Sequence, residues 1–208
     1  TLVSSAENFG QCLGGYTVPA QLQPPSHGSA DIQDDPHGRL ITVELDRLTG
    51  KRDGQIQLQG NVLIREGQRL LQAQSALLDQ GGSEIRFPQG LLVTQPNLVV
   101  AGEQAKIGLQ RETLELNKVQ WLLLKKQLRG SAASLTQSDS GKVVLNKADL
   151  TRCLPGNQGW SLGIERLEIN ENKGYAQARG AVLKVKSIPV AYLPRLRVSM
   201  DGSLASGW

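Results

Sequence analysis

Alternation of polar and apolar residues with a period of two is the feature that most constrains the fold of this chain. It is clearest in residues 55–59, and after Gly60 the apolar side continues at Val62 and Ile64. A period of two sends alternate side chains to opposite faces of a β-strand, so each strand has one apolar face. Similar pairs recur as far as Ile169, and no convincing helical stretch interrupts them. The sequence therefore predicts an all-β fold with no significant helix.

A weak internal repeat organises these strands. Small residues followed by alanine three positions later recur at spacings of 29 and 28 residues, in the pairs Ala73 and Ala76, Gly102 and Ala105, and Gly130 and Ala133. A second series is interpreted as strand starts: Gly60, Gly90, Asn117, Asn146 and Gly180. A period near 30 residues predicts stacked hairpins, with about eleven strands between residues 39 and 200. A β-solenoid, a jelly roll and a sandwich all fit this pattern.

The first 38 residues differ from this strand-rich region. Glycines flank Cys12, and four prolines alternate with Ser, Gly, Asp and both histidines, so we expect an irregular tether in residues 1–38. The chain starts without a basic segment followed by an apolar one, which favours a cytosolic start or a trimmed mature one. No apolar run has the length of a membrane-spanning helix.

Positive charge is concentrated near the C-terminus. The chain has a net charge of +4, but residues 172–200 hold six basic side chains and no Asp or Glu. This stretch is either a solvated strand face or a surface that meets anionic groups such as phosphates. Aromatic residues make up only 4% of the chain and are not interleaved with the basic ones, which disfavours nucleic-acid binding.

The residues predict neither an enzyme nor a metal or cofactor site. The motifs HExxH and GxSxG are absent, and both histidines lie in the expected tether. The two cysteines, Cys12 and Cys153, are too far apart in sequence for a compact zinc motif. One long-range disulfide, two buried thiols, or two bridges to a region outside this chain all remain open.

Several motifs resemble one known family. Residues 151–160, Thr-Arg-Cys-Leu-Pro-Gly-Asn-Gln-Gly-Trp, and residues 181–194, which end in Ile-Pro-Val-Ala-Tyr-Leu-Pro, resemble signatures of the lipopolysaccharide-assembly outer-membrane proteins (LptD, also called OstA or Imp). Residues 11–14 are similar to the family's mature N-terminus. Residues 54–79 resemble the OstA-like repeat that the soluble bridge proteins of the same pathway share. The resemblance covers about residues 10–208.

The resemblance implies a location and partners. It implies an OstA-like β-jelly roll in residues 39–200, on the periplasmic face of the Gram-negative outer membrane. This domain would receive lipopolysaccharide from a periplasmic bridge protein of the OstA-like family, joined by edge-strand addition. It would pass the lipid to the protein's own C-terminal barrel and its plug lipoprotein, with residues 201–208 beginning the link. Cys12 and Cys153 would each pair with a barrel cysteine; within this chain they would be partnerless or paired with each other by default.

Saturated acyl chains need an apolar track through water, and one continuous apolar face of stacked strands provides it. The predicted track residues are Ile56, Leu58, Val62, Ile64, Leu114, Leu116, Val119, Trp121, Leu123, Leu162 and Ile164. The predicted contacts to anionic headgroups are Lys184, Lys186, Arg195 and Arg197. The alternative is a structural adaptor that joins bridge and barrel by strand pairing, with these apolar residues packed in a closed core.

Overall fold

The computed structural model describes residues 41–50, 54–157, 159–170 and 172–199. The predicted tether with Cys12 and the predicted link in residues 201–208 lie outside the described residues, and the domain boundaries stay predictions.

Fourteen strands and no helix make up the regular structure of the described residues. The strands are β1 (Ile41–Glu44), β2 (Arg47–Gly50), β3 (Ile56–Glu66), β4 (Arg69–Leu78), β5 (Glu84–Phe87), β6 (Leu91–Gln95), β7 (Leu98–Gly102), β8 (Gln104–Gly108), β9 (Thr113–Leu123), β10 (Leu128–Gln137), β11 (Lys142–Thr151), β12 (Trp160–Asn170), β13 (Tyr175–Val185) and β14 (Ile188–Ser199). The predicted all-β jelly roll of stacked hairpins is confirmed. The strands outnumber the expected eleven because residues 41–50 and 84–108 form short strands of four or five residues.

All fourteen strands belong to one antiparallel sheet. From β8 to β14 the strands pair in chain order, as a series of hairpins. The short strands bridge β4 and β9 in two rows, one through β5 and β8 and the other through β6 and β7. The sheet ends at β1 and β2, which pair side by side with β3, and at β14, which pairs with β13.

One face of this sheet is apolar and turned inward. Buried side chains from β3 to β13 form a single hydrophobic cluster, which a flat open sheet could not assemble, so the sheet is rolled with this face inside. We call it the interior face. A second, small cluster lies on the opposite face, where Val99 and Leu122 are buried beside Leu92 and Ala101.

The predicted strand starts are wrong at four of their five positions. Gly60, Asn117, Asn146 and Gly180 lie in the middle of β3, β9, β11 and β13, and only Gly90 falls between strands. At or next to each mid-strand position the backbone takes a positive φ, for example 73° at Gly60 and 61° at Gly180. Such residues insert a bend into a continuing strand, so a turn-like residue type marked the strand's middle instead of its beginning.

Candidate functional site

A line of bends crosses the sheet perpendicular to its strands. Lys118 and Lys147 have φ values of 47° and 49° in the middle of β9 and β11. The registers on either side place Ala133 of β10 between them and Glu165 of β12 opposite Lys147. Gly180 of β13 follows in the same row. We call this row the bend line, and the strands fold about it.

The bend line also explains the period of the sequence repeat. The chain crosses the line at Lys118, Ala133 and Lys147, so it returns to the line every 14 or 15 residues and completes a hairpin every 29. The gaps between short strands lie on the same line: Asp46 donates its backbone N–H to the carbonyl of Gly60 at 3.1 Å, and Glu103 donates to that of Asn117 at 3.0 Å.

Inward-facing residues flank the bend line three positions apart, where regular alternation would separate them by two. The extra residue at each bend points outward, so both flanking side chains stay on the interior face. Cross-strand pairs such as Leu135 with Leu116 and Ala132 with Val119 confirm that they share this face. The flanking pairs are Ala73 and Ala76, Leu116 and Val119, Ala132 and Leu135, Leu145 and Ala148, Ile164 and Leu167, Ala178 and Ala181, and Leu193 and Leu196.

Burial on the interior face falls with distance from the bend line. Beside the line, Leu116 and Val119 are each 1% exposed and Ala181 is fully buried. Toward the strand ends, apolar residues such as Leu123 and Leu162 are only half-buried, although they pack against the same cluster. The interior is therefore a groove, with a floor along the bend line and two walls made by the strand ends.

The structure brings all eleven predicted track residues into this groove. Leu58, Val62, Leu116, Val119 and Ile164 lie at or near the floor and are buried. The other six lie on the walls: Ile56, Ile64, Leu114, Trp121, Leu123 and Leu162. Among them Leu114 and Trp121 are nevertheless less than 10% exposed. Their role in binding stays a prediction.

The sequence reasoning missed other residues of the same groove. They include Leu71, Phe87, Leu145, Ala148, Ala178 and Ala181, all buried in the cluster. Small size hid the alanines, and the bends hid the rest, because a strict period of two fails on crossing each bend. The signal that could have found them is the spacing of three between apolar residues, repeated in every long strand from β9 to β14.

The predicted headgroup contacts lie away from the groove. Lys184, Arg195 and Arg197 are on the exterior face of β13 and β14, and Lys186 is in the turn between them. The Arg197 guanidinium carbon lies 4.0 Å from the centroid of the Tyr175 ring, a cation–π contact. A register shift between Leu183 and Lys184 separates the two faces at this point. These residues can meet anionic groups at the exterior, and that role stays a prediction.

Other exterior charges form ion pairs. Glu168 accepts hydrogen bonds from Lys142 Nζ and Arg166 Nε, each at 2.8 Å. These contacts, that from Lys142 first, lower the pKa of Glu168 to about 2. Hydrogen bonds from Lys106 and Arg86 likewise lower the pKa of Glu84. Charge on the exterior and hydrocarbon on the interior give the rolled sheet two chemically distinct surfaces.

The loop between β11 and β12 is fastened to the sheet around Cys153, which is fully buried and disulfide-bonded. Arg129 donates hydrogen bonds to the carbonyls of Cys153 and Leu154, at 2.7 and 3.1 Å. The Thr151 hydroxyl donates to the carbonyl of Trp160 and accepts from the N–H of Cys153. Beside this loop an exterior polar cleft of about 360 Å³ is lined by Arg129, Asp149 and Lys184, among others.

Two further features were searched for in the described part of the chain. No group of three or more His, Cys, Asp or Glu residues is arranged there to hold a metal ion. No helix in those ranges has the length and apolarity needed to cross a membrane.

Comparisons with known proteins connect the chain to lipopolysaccharide assembly. No family model matches it. It is 28% identical over 200 residues to the LPS-assembly protein LptD of Saccharophagus degradans, covering 94% of this chain and 22% of that protein. It is 27% identical over 201 residues to LptD of Hahella chejuensis, covering 95% and 24%. For LptD of Alcanivorax borkumensis the identity is 29% over 196 residues, covering 94% and 24%.

The chain thus spans about a quarter of the length of these relatives. Among solved structures it is similar to LptH of Pseudomonas aeruginosa, the LptA-homologous periplasmic component of the lipopolysaccharide transport device. The TM-score is 0.40 and the identity 14%, over 48% of this chain and 76% of that one. The resemblance to the LptD family that the sequence motifs indicate is confirmed by the curated relatives.

Proposed function

We propose that this chain binds lipopolysaccharide during its transport and assembly into the outer membrane, and that its groove shields the acyl chains from water. The observation that carries the proposal is the graded burial of one continuous apolar face, from a buried floor to half-exposed walls. The name shared by the relatives, LPS-assembly protein, supports the choice of cargo.

The energetics favour a hydrocarbon cargo. Apolar side chains on the walls leave surface in contact with water, which costs free energy in the empty protein. A chain lying in the groove removes its own surface and that of the walls from water, at about 0.8 kcal/mol for each buried CH₂ group. The continuity of the cluster from β3 to β13 lets the cargo move along the floor without leaving apolar surroundings.

The two ends of the sheet supply the connections. We propose that the edge formed by β1 and β2 receives a strand of the periplasmic bridge protein, and that β14 faces the barrel. Main-chain N–H and C=O groups at a sheet edge pair readily with an added strand. Among the described strands β14 pairs with β13 alone, and most of its twelve residues are exposed. Pro189 and Pro194 limit unspecific pairing along this edge.

This arrangement places the domain on the periplasmic side of the outer membrane, with the disulfide of Cys153 holding the loop between β11 and β12. The exterior basic residues Lys184, Lys186, Arg195 and Arg197 then contact phosphates close to the barrel. Reversing their charges tests this contact. Transfer that is unchanged in the charge-reversed protein would remove these four residues from the proposal and leave the groove in place.

The adaptor reading remains the second candidate, and the buried floor favours it. A closed core requires wall residues that are as inaccessible as the floor. The half-buried state of Leu123 and Leu162 favours the groove instead.

A charge placed on the wall tests the proposal. Leu162 on the interior of β12 and Val182 on the exterior of β13 are both half-buried and lie on neighbouring strands. We expect Leu162→Asp to reduce the lipopolysaccharide that reaches the cell surface, because a carboxylate interrupts the apolar track. Val182→Asp is the matched control and should leave this amount near that of the unaltered protein, with thermal unfolding measured for both variants. Normal surface lipopolysaccharide with a folded Leu162→Asp variant would favour the adaptor.

A further inference from the structure

The wall of the groove contains one polar atom whose position the packing fixes. Trp121 lies on the interior face of β9 and is 7% exposed. It is paired with Val100 on one side and with Gly130 on the other. A Cβ at Gly130 would collide with Cε2 and Cζ2 of the indole, so the ring lies flat across the glycine on β10. Glycine is needed at this position because of that close approach.

The indole N–H has no acceptor where it lies. Among the described residues, Trp121 Nε1 makes no hydrogen bond and is shielded from solvent. Its cross-strand neighbours Val100 and Gly130, and Leu150 beyond Gly130, carry no polar side-chain atom. A buried tryptophan usually pairs its N–H, and leaving the donor unpaired is unfavourable. Phenylalanine would fill a similar volume without this cost, so packing alone does not account for the donor.

We propose that the Trp121 N–H donates a hydrogen bond to an oxygen carried by the acyl chain of the cargo, a chain hydroxyl or an ester carbonyl. This inference rests on the proposed function. A lipid chain that enters with its hydrocarbon end toward the floor leaves its oxygen-bearing end beside the wall. Trp121 occupies that height, two residues up β9 from the floor residue Val119. Within an apolar groove water does not compete for the donor, so the bond discriminates between oxygen-bearing and plain chains.

Two fatty acids that differ by one hydroxyl test the proposal. The probes are dodecanoic acid and 3-hydroxydodecanoic acid, titrated calorimetrically into the purified protein below their micellar concentrations. We expect the hydroxylated acid to bind about five- to tenfold more tightly, the range of one net hydrogen bond. In Trp121→Phe the ring still covers Gly130 but the donor is lost, so the two acids should bind with equal affinity.

A measurement without substitution at Trp121 guards against a variant that fails to fold. In ¹⁵N-tryptophan-labelled protein, the indole N–H resonance of Trp121 is assigned by comparison with Trp160→Phe. The hydroxylated acid should shift this resonance downfield and the plain acid should not. Equal affinities in the unaltered protein, or no selective shift, would overturn the donor role and leave the groove standing. Failure of both acids to bind would overturn the proposed function together with this inference.

Discussion

Truncating one leucine at the floor and one on the wall separates a groove from a closed core. Leu116 of β9 is 1% exposed and flanks the bend line, whereas Leu162 of β12 is half-buried near the strand end. Both residues lie on the interior face and belong to the same cluster. The substitution to alanine removes the same atoms at both sites, so differences in chemistry or strand propensity cancel.

The expected losses differ because the surroundings differ. Leu116→Ala forfeits the full transfer free energy of the removed atoms and leaves an enclosed cavity, which costs about 3 kcal/mol. At Leu162 part of the side chain already touches water, and truncation opens no enclosed space. We therefore expect Leu162→Ala to cost about 1 kcal/mol.

Equilibrium unfolding in urea, followed by circular dichroism with the disulfide intact, measures both losses. Equal slopes of the free energy of unfolding against urea are needed, because a changed slope would indicate a changed denatured state. A difference of about 2 kcal/mol between the variants supports the groove, using the magnitudes above. Two losses that are both near 3 kcal/mol would mean that the wall is as enclosed as the floor, and the reasoning would be refuted.

Two further predictions concern the bend line and the exterior charges. Gly180→Val should lower the free energy of unfolding by about 2 kcal/mol, because φ is +61° and a Cβ would press on the Glu165 carboxylate; Gly180→Asn should cost less, and equal losses in urea unfolding would contradict the backbone argument. Glu168 has a folded-state pKa of about 2, below its ordinary value of 4.5, so its stabilisation is present above pH 4.5 and is lost as the pH falls toward 2. Glu168→Gln should therefore cost about 1 kcal/mol at pH 7, after allowance for screening by solvent, and nothing near pH 2; a loss that does not change with pH would exclude this ion pair as its source.

The sequence predicts the fold class and the inward face of most strands, because alternation is a local property. It does not predict the bend line, since two of its residues, Lys118 and Lys147, are of a type that gives no local sign of a positive φ. Tertiary packing imposes that conformation. The same bends move the inward face by one residue, which is why Leu145 and Ala178 escaped a strict period of two.

The exterior position of the basic residues was equally hidden. A register shift at Leu183 and Lys184 decides which face the following side chains take, and the sequence carries no mark of that shift. The short strands in residues 84–108 were merged for a related reason. Their interruptions follow from the bend line and not from a distinct turn motif.

Photo-crosslinking in cells that produce the protein tests the central claim most directly. A photoreactive residue is placed at Ile56 of β3 or Leu162 of β12, two wall positions near opposite ends of the sheet, and at the opposite-face controls Gln57 and Glu165. The groove predicts adducts with lipopolysaccharide at both wall positions and none at the controls. The absence of adducts at Ile56 and Leu162, or equal adducts at all four positions, would contradict it.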